Sequence, residues 1–203
     1  YAGINNDAAL DWFARQLKKA PKAIVPSLEY GQALVYLDTK KLDKAEPILT
    51  KLINSDPTNL FYLDAISDLH IEQKQPEIAI KELKSALVRQ PNNPVLTINY
   101  ANALIENEDL QEAVRVLQRY THDNPNDTNG WHLLSKVNTS LGNSDEELAA
   151  RAEILALQAN WNKAIQYYTQ ASQIAELGSL KQARYDARLD QLMIQRERFL
   201  SLQ

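Results

Sequence analysis

Proline recurs at positions 57, 91 and 125, alanine at 45, 79 and 113, and leucine at 49, 83 and 117, so three columns of unlike chemistry share one period of 34 residues. That agreement constrains the fold more than any single motif, because a chain with such a period builds one supersecondary unit several times over. The prolines stand in Asp56-Pro57-Thr58-Asn59, Gln90-Pro91-Asn92-Asn93 and Asn124-Pro125-Asn126-Asp127. Proline ends a helix, and the Asn or Asp two residues later is placed to cap the next one. Small residues recur at Ala33, Ser67 and Ala101 on a first helix and at Ala45, Ala79 and Ala113 on a second. Small side chains let two helices approach closely where a leucine would force them apart. Tyr36, Leu49, Leu52, Leu63, Ile66, Leu83, Tyr100, Leu104, Leu117 and Tyr120 fill the remaining space.

A helix–turn–helix unit of this length is the tetratricopeptide repeat. The expected fold is all-α: a tetratricopeptide-repeat solenoid of antiparallel helix pairs with an irregular fourth/fifth unit and capping helices. The chain reads as a single domain, 1–203, with regular repeats at 26–59, 60–93 and 94–127. Pro26 and Pro94 begin their units, where a first-turn proline loses no helical hydrogen bond. Pro47 requires a helix that starts near Asp43, with Asp43 and Glu46 as a capping-box-like pair, and Pro76 belongs to the inter-helix turn. Residues 128–178 break step. Trp131, Leu134 and Ser135 keep the first-helix pattern, and Ser144-Asp145-Glu146-Glu147 reads as a capping box, but Glu147 stands where the packing alanine is due. The alanine returns at Ala164, 51 residues after Ala113. One helix near 145–158 is therefore expected to close the fourth unit and open a fifth, with Ala152 as its small residue and a second helix near 161–176. An N-terminal helix over 5–20, apolar at Leu10, Trp12, Phe13 and Leu17, and a C-terminal helix over 179–203 are expected to cap the ends. The latter is apolar at Leu180, Ala183, Ala187, Leu189, Leu192 and Phe199 and follows Gly178 and a Ser179–Gln182 capping box.

Much chemistry is excluded. Cysteine is absent, which removes disulfides, thiol nucleophiles and Cys-based metal sites. His70, His122 and His132 form no H-E-x-x-H and no convergent ligand set. No G-x-S-x-G, phosphate-loop or dinucleotide glycine pattern occurs. No catalytic residue, metal or cofactor is therefore expected in this chain. The net charge of −4 and aromatics that follow packing columns argue against nucleic acid as a partner. The longest apolar run is five residues, Ala33–Leu37, against the roughly 20 of a spanning helix, so membrane insertion is not expected. The chain opens at Tyr1 with neither initiator Met nor signal peptide, which reads as a mature or trimmed fragment.

A peptide groove is the better candidate. Residues 60–128 hold six basic and eleven acidic side chains, and the acids fall partly at the inward positions of first helices. The expected groove residues are Tyr30 and Leu34; Phe61, Asp64, Asp68, Ile71 and Glu72; Ile98, Asn102 and Glu106; and His132 and Lys136. The wall is apolar with an acidic stripe, which has the wrong sign for clamping a C-terminal carboxylate. It suits an extended or helical segment bearing apolar and basic side chains. The carboxylate pairs Asp64/Asp68 and Asp186/Asp190, four residues apart, read as solvated helix faces rather than acid–base machinery.

Four stretches carry a more specific likeness: Asn93-Pro94-Val95-Leu96; Asn129-Gly130-Trp131; Glu147-Leu148-Ala149-Ala150-Arg151-Ala152-Glu153; and Leu177-Gly178-Ser179-Leu180 with Gln182-Ala183-Arg184-Tyr185-Asp186-Ala187-Arg188. They resemble the C-terminal tetratricopeptide region of BepA-type proteins, periplasmic zinc metalloproteases of Gram-negative bacteria. The resemblance implies a periplasmic, non-catalytic interaction module serving outer-membrane protein assembly and quality control. Its implied partners are outer-membrane barrel precursors, the β-barrel assembly machinery and the parent's own protease domain. Family proteins carry zinc in an H-E-x-x-H domain, and this chain contains no such motif, so no catalytic or zinc residue is carried over. A free-standing tetratricopeptide scaffold or co-chaperone from another lineage is the alternative.

Overall fold

The computed structural model describes residues 5–201; residues 1–4 and 202–203 lie outside the described residues. The described residues form eleven α-helices and no strand. They are α1 (Asn6–Leu17), α2 (Val25–Asp38), α3 (Leu42–Ser55), α4 (Leu60–Glu72), α5 (Pro76–Arg89), α6 (Pro94–Glu106), α7 (Leu110–Asp123), α8 (Thr128–Leu141), α9 (Ser144–Leu157), α10 (Trp161–Ile174) and α11 (Leu180–Leu200). Two compact units result, one ending at Asn107 and one starting at Glu108, so the repeat read at 94–127 gives α6 to the first and α7 to the second.

The starts of α4, α6 and α8 are set by Asn59, Asn93 and Asp127, whose side chains accept from backbone N–H groups of the first turn at 2.9–3.4 Å. Each cap is worth about 1 kcal/mol against alanine. Asp127 also accepts from the Tyr120 hydroxyl through its other oxygen, tying α7 to the start of α8. The expected capping boxes at Asp43 and Ser144 do not form, since α3 and α9 are preceded by Lys41 and Asn143 and neither start has a side-chain cap. The reason is local. Lys41 and Asn143 follow tight turns and have ψ of 60° and 73°, short of the extended ψ of 107–120° at Asn59, Asn93 and Asp127 that aims a side chain at the first turn. The α3 helix starts at Leu42, next to the expected Asp43, and Pro47 is its sixth residue, inside the helix and past the first turn.

Those tight turns have a 34-residue rhythm of their own. Lys40, Lys74, Glu108 and Gly142 all adopt positive φ, between 55° and 73°, and only the last is glycine. Ala159 sits at φ 57° in the corresponding turn before α10. Left-handed backbone costs a residue with a Cβ about 1–2 kcal/mol, partly offset by the extra unfolded-state entropy of glycine. Ala159→Gly is thus expected to stabilise by about 0.5–1 kcal/mol and Gly142→Ala to destabilise by a similar amount, read from urea unfolding followed by circular dichroism.

Packing in both units follows the sequence columns. Ala33, Ser67, Ala101, Ala45, Ala79, Ala113, Leu49, Leu83 and Leu117 are all buried. In the first unit successive helices pack as antiparallel neighbours, and the first helix α4 also touches the first helices α2 and α6 on either side of it in chain order. The α1 helix has no buried residue and is seated by the Phe13 ring over Gly31, where a Cβ would stand 2.6 Å from that ring. His70 of α4 lies against α5, with Nε2 3.5 Å from Glu82, and that contact holds its pKa above the usual value against the opposing pull of burial.

In the second unit α9 packs against α8 on one side and α10 on the other, and α10 packs against α11. Ala152 and Ala164 are fully buried in its core. The apolar face expected for α11 holds in part: Leu192 is buried and Leu189 packs on the core, whereas Leu180 is 91% exposed and Tyr185, not among the expected positions, is buried. Polar contacts to α9 choose that face. Lys181 reaches Asp145 at 2.9 Å, Arg184 grips Glu146 at 2.7 and 2.8 Å, and Arg188 grips Glu153 with two bonds of 2.7 Å. The Tyr185 hydroxyl also donates to Asp145 (3.2 Å), and Tyr168 donates to Glu153 (2.6 Å). Burial pushes the Asp145 carboxyl upward, but Lys181, a backbone N–H and Tyr185 together hold it below its ordinary range.

Candidate interaction surface

Ten of the twelve expected groove residues belong to the first unit, on the neighbouring first helices α2, α4 and α6. Phe61 of α4 is 69% exposed, and Leu34 of α2, the preceding first helix, is exposed as well. Tyr30 stands edge-on to Phe61, with ring centroids 6.2 Å apart, and packs at a tilt on Tyr62 at 5.6 Å. The result is an aromatic ledge that water covers on one side. Ile98 and Asn102 are half-buried, and Ile71 is half-buried against the Leu63–Ala79–Leu83 core, which leaves less of it for a partner. Glu106 is exposed and makes contacts of its own.

The acidic stripe runs along α4, one turn per carboxylate, as i, i+4 spacing requires. Its ends are engaged. Asp64 accepts a 2.6 Å hydrogen bond from Asn99 of α6, and Glu72 pairs with Lys40 at 2.5 Å. Asp68 lies between them, and no hydrogen bond to its carboxylate is present among the described residues. Loss of hydration and the like charges of Asp64 and Glu72 raise its pKa to about 6, with Lys40 opposing. Burial and the same two aspartates, Asp64 and Asp68, raise the Tyr30 hydroxyl. A cation arriving between Asp64 and Asp68 would relieve this repulsion, and an apolar neighbour would cover the Tyr30–Phe61 ledge.

Sequence reasoning missed Asn99, Lys40 and Tyr62. Asn99 follows Asp64 by 35 residues, one step beyond the period, so the same face of adjacent repeats was there to be read. Lys40 reaches Glu72 from a left-handed turn, a geometry with no residue signature when lysine occupies it.

His132 and Lys136 lie in the second unit, both exposed on α8. They line a cleft of about 570 Å³ that also takes in Arg151, Ile154 and Leu155 of α9 and Tyr167 of α10. Among the described residues no group of three or more His, Cys, Asp or Glu is placed to hold a metal ion. No helix among them is long and apolar enough to cross a membrane.

Profiles of the tetratricopeptide repeat match residues 30–59 and 70–137. A putative beta-barrel assembly-enhancing protease of Vibrio cholerae is 68% identical over 203 residues, all of this chain and 42% of that protein. The beta-barrel assembly-enhancing protease of Escherichia coli K12 is 44% identical over 171 residues, 84% of this chain and 35% of that protein. The chain thus spans about two fifths of the length of these curated relatives. Among solved structures, YrrB, a tetratricopeptide protein described as having an unusual peptide-binding site, superposes with a TM-score of 0.55 at 16% identity, covering 79% of this chain and 82% of that one. That likeness speaks for the fold alone. Taking the repeat-family matches, the helix pairs and the full-length likeness together, the chain is a tetratricopeptide-repeat region of the beta-barrel assembly-enhancing protease (BepA) type, an all-α protein-interaction module.

Proposed function

We propose that this region is the non-catalytic recruiting arm of a periplasmic zinc metalloprotease acting in outer-membrane protein assembly and quality control. In this reading the zinc and the chemistry reside in a protease domain outside this chain, and no residue of the chain holds a cofactor. The region binds segments of barrel precursors or of the assembly machinery and holds them near that domain. Holding a substrate in this way raises its effective concentration at the active site without new chemistry.

The observation that supports this reading best is the first-unit wall, where an exposed aromatic ledge adjoins an aspartate crowded by two other acids. That pairing selects a segment with apolar side chains for the ledge and a lysine or arginine for the stripe. Fluorescence anisotropy with a labelled peptide alternating Leu or Phe with Lys tests it. Asp64→Asn with Asp68→Asn is expected to weaken binding about tenfold, and unchanged affinity would remove the assignment. The pH dependence has a definite sign. Asp68 is ionised above about 6, so binding is expected to fall as pH drops from 7 to 5, and Asp68→Asn alone should flatten that dependence.

A further inference from the structure

The second unit carries a cleft of opposite character to the acidic wall. Its lining contains Lys136, Arg151 and His132, three serine and threonine hydroxyls, and an apolar floor of Ile154, Leu155 and Tyr167, and none of its lining residues is an acid. A volume of about 570 Å³ is within the range of sites that seat a ligand or a few residues of a peptide. Glu147, one turn before Arg151, is the nearest counter-charge on α9, and it engages Arg151 through Nε at 2.5 Å. The guanidinium stays half exposed, and its terminal N–H groups have the fork geometry that grips a carboxylate with two parallel bonds. The hydroxyls of Thr139 and Ser140 donate to the carbonyls of Ser135 and Lys136, so donors for an anion come chiefly from the cationic side chains.

We propose that this cleft binds an acidic–apolar peptide segment, with an internal Asp or Glu carboxylate on the terminal N–H groups of Arg151, beside Lys136, which has an interaction of its own within the chain, and the neighbouring apolar side chain on Ile154, Leu155 and Tyr167. The inference rests on reading the chain as a peptide-binding module, and it adds a second site with its own selectivity. Charge complementarity chooses this occupant over the basic segment assigned to the α4 wall.

The test is fluorescence anisotropy on the whole chain with two labelled peptides, both acetylated and amidated, one alternating Glu with Leu or Phe and the other Lys with Leu or Phe. The acidic peptide is expected to bind, to lose about tenfold in affinity with Arg151→Gln, and to weaken between 50 and 300 mM salt. Asp64→Asn with Asp68→Asn should leave its affinity unchanged. Arg151 is exposed on α9, so Arg151→Gln should keep the wild-type circular dichroism and melting temperature, which separates lost binding from lost structure. Three results overturn the proposal: no binding of the acidic peptide while the basic one binds, equal binding to Arg151→Gln, or binding only when the peptide carries a free C-terminal carboxylate. Failure of both peptides would instead overturn the recruiting-arm reading on which the proposal stands.

Discussion

Replacing Arg188 by alanine is expected to destabilise the second unit by about 3 kcal/mol, toward the lower end of what breaking a buried ion pair costs. The Glu153 side chain is only 10% exposed and takes both of its strong hydrogen bonds from Arg188, with Tyr168 adding a third. Without the guanidinium, a carboxylate stays buried with one phenol for company. The cost arises mainly from that orphaned charge, since Arg188 itself is partly exposed and an intact buried pair is worth little against an apolar substitute. Adding Glu153→Gln to the Arg188→Ala variant should therefore recover part of the loss. Arg115→Ala is the control. Its pair with Glu112 lies on the surface of α7, and removing it should shift stability by less than about 0.5 kcal/mol. Urea unfolding monitored by circular dichroism separates these cases, and a loss at Arg188 as small as that at Arg115 would mean that the network does not hold α11 in place.

Leu83→Ala carries the second large effect, about 3 kcal/mol within the usual 2–5 for a buried leucine. Leu83 has no exposed surface and packs among Ala79, Ala86, Leu63, Leu96 and Ala103, where small neighbours pinned by their own helices have little freedom to close a cavity. Leu49→Ala, one period earlier, should cost a comparable amount because it occupies the same column in its own core. Val88 lies five residues beyond Leu83 on α5 and is 79% exposed, so Val88→Ala should stay within about 0.5 kcal/mol. Equal losses at Leu83 and Val88 would contradict the register on which the repeat assignment depends.

The columns made the fold legible because burial in stacked helix pairs is periodic, and a period can be counted. Asn59, Asn93 and Asp127 were legible for the same reason, since a helix start after proline needs an extended residue with a short polar side chain. The failures have separate origins. Ser144 and Asp43 have the right chemistry for a cap but follow a left-handed turn, and backbone geometry overrode side-chain type. The start of the buried face of α11 was misjudged, because hydropathy counts Leu180 and overlooks Tyr185, whose ring packs in the same core as Leu192 while its hydroxyl donates to Asp145. In the candidate wall, positions were legible but states were not. Nothing in the spacing of Asp64, Asp68 and Glu72 says that Asn99 and Lys40 would satisfy the outer two and leave the middle one crowded.

Mapping where a peptide lands shows whether the α2–α4 wall is the docking surface. A Lys–Leu/Phe peptide carrying a photoreactive group, crosslinked to the whole chain and located by mass spectrometry, is expected to mark α2 and α4 around Tyr30, Phe61 and Asp68, and to lose those marks with Asp64→Asn and Asp68→Asn. Crosslinks concentrated on the second helices, around Val88 of α5, or unchanged in the double variant, would contradict the account.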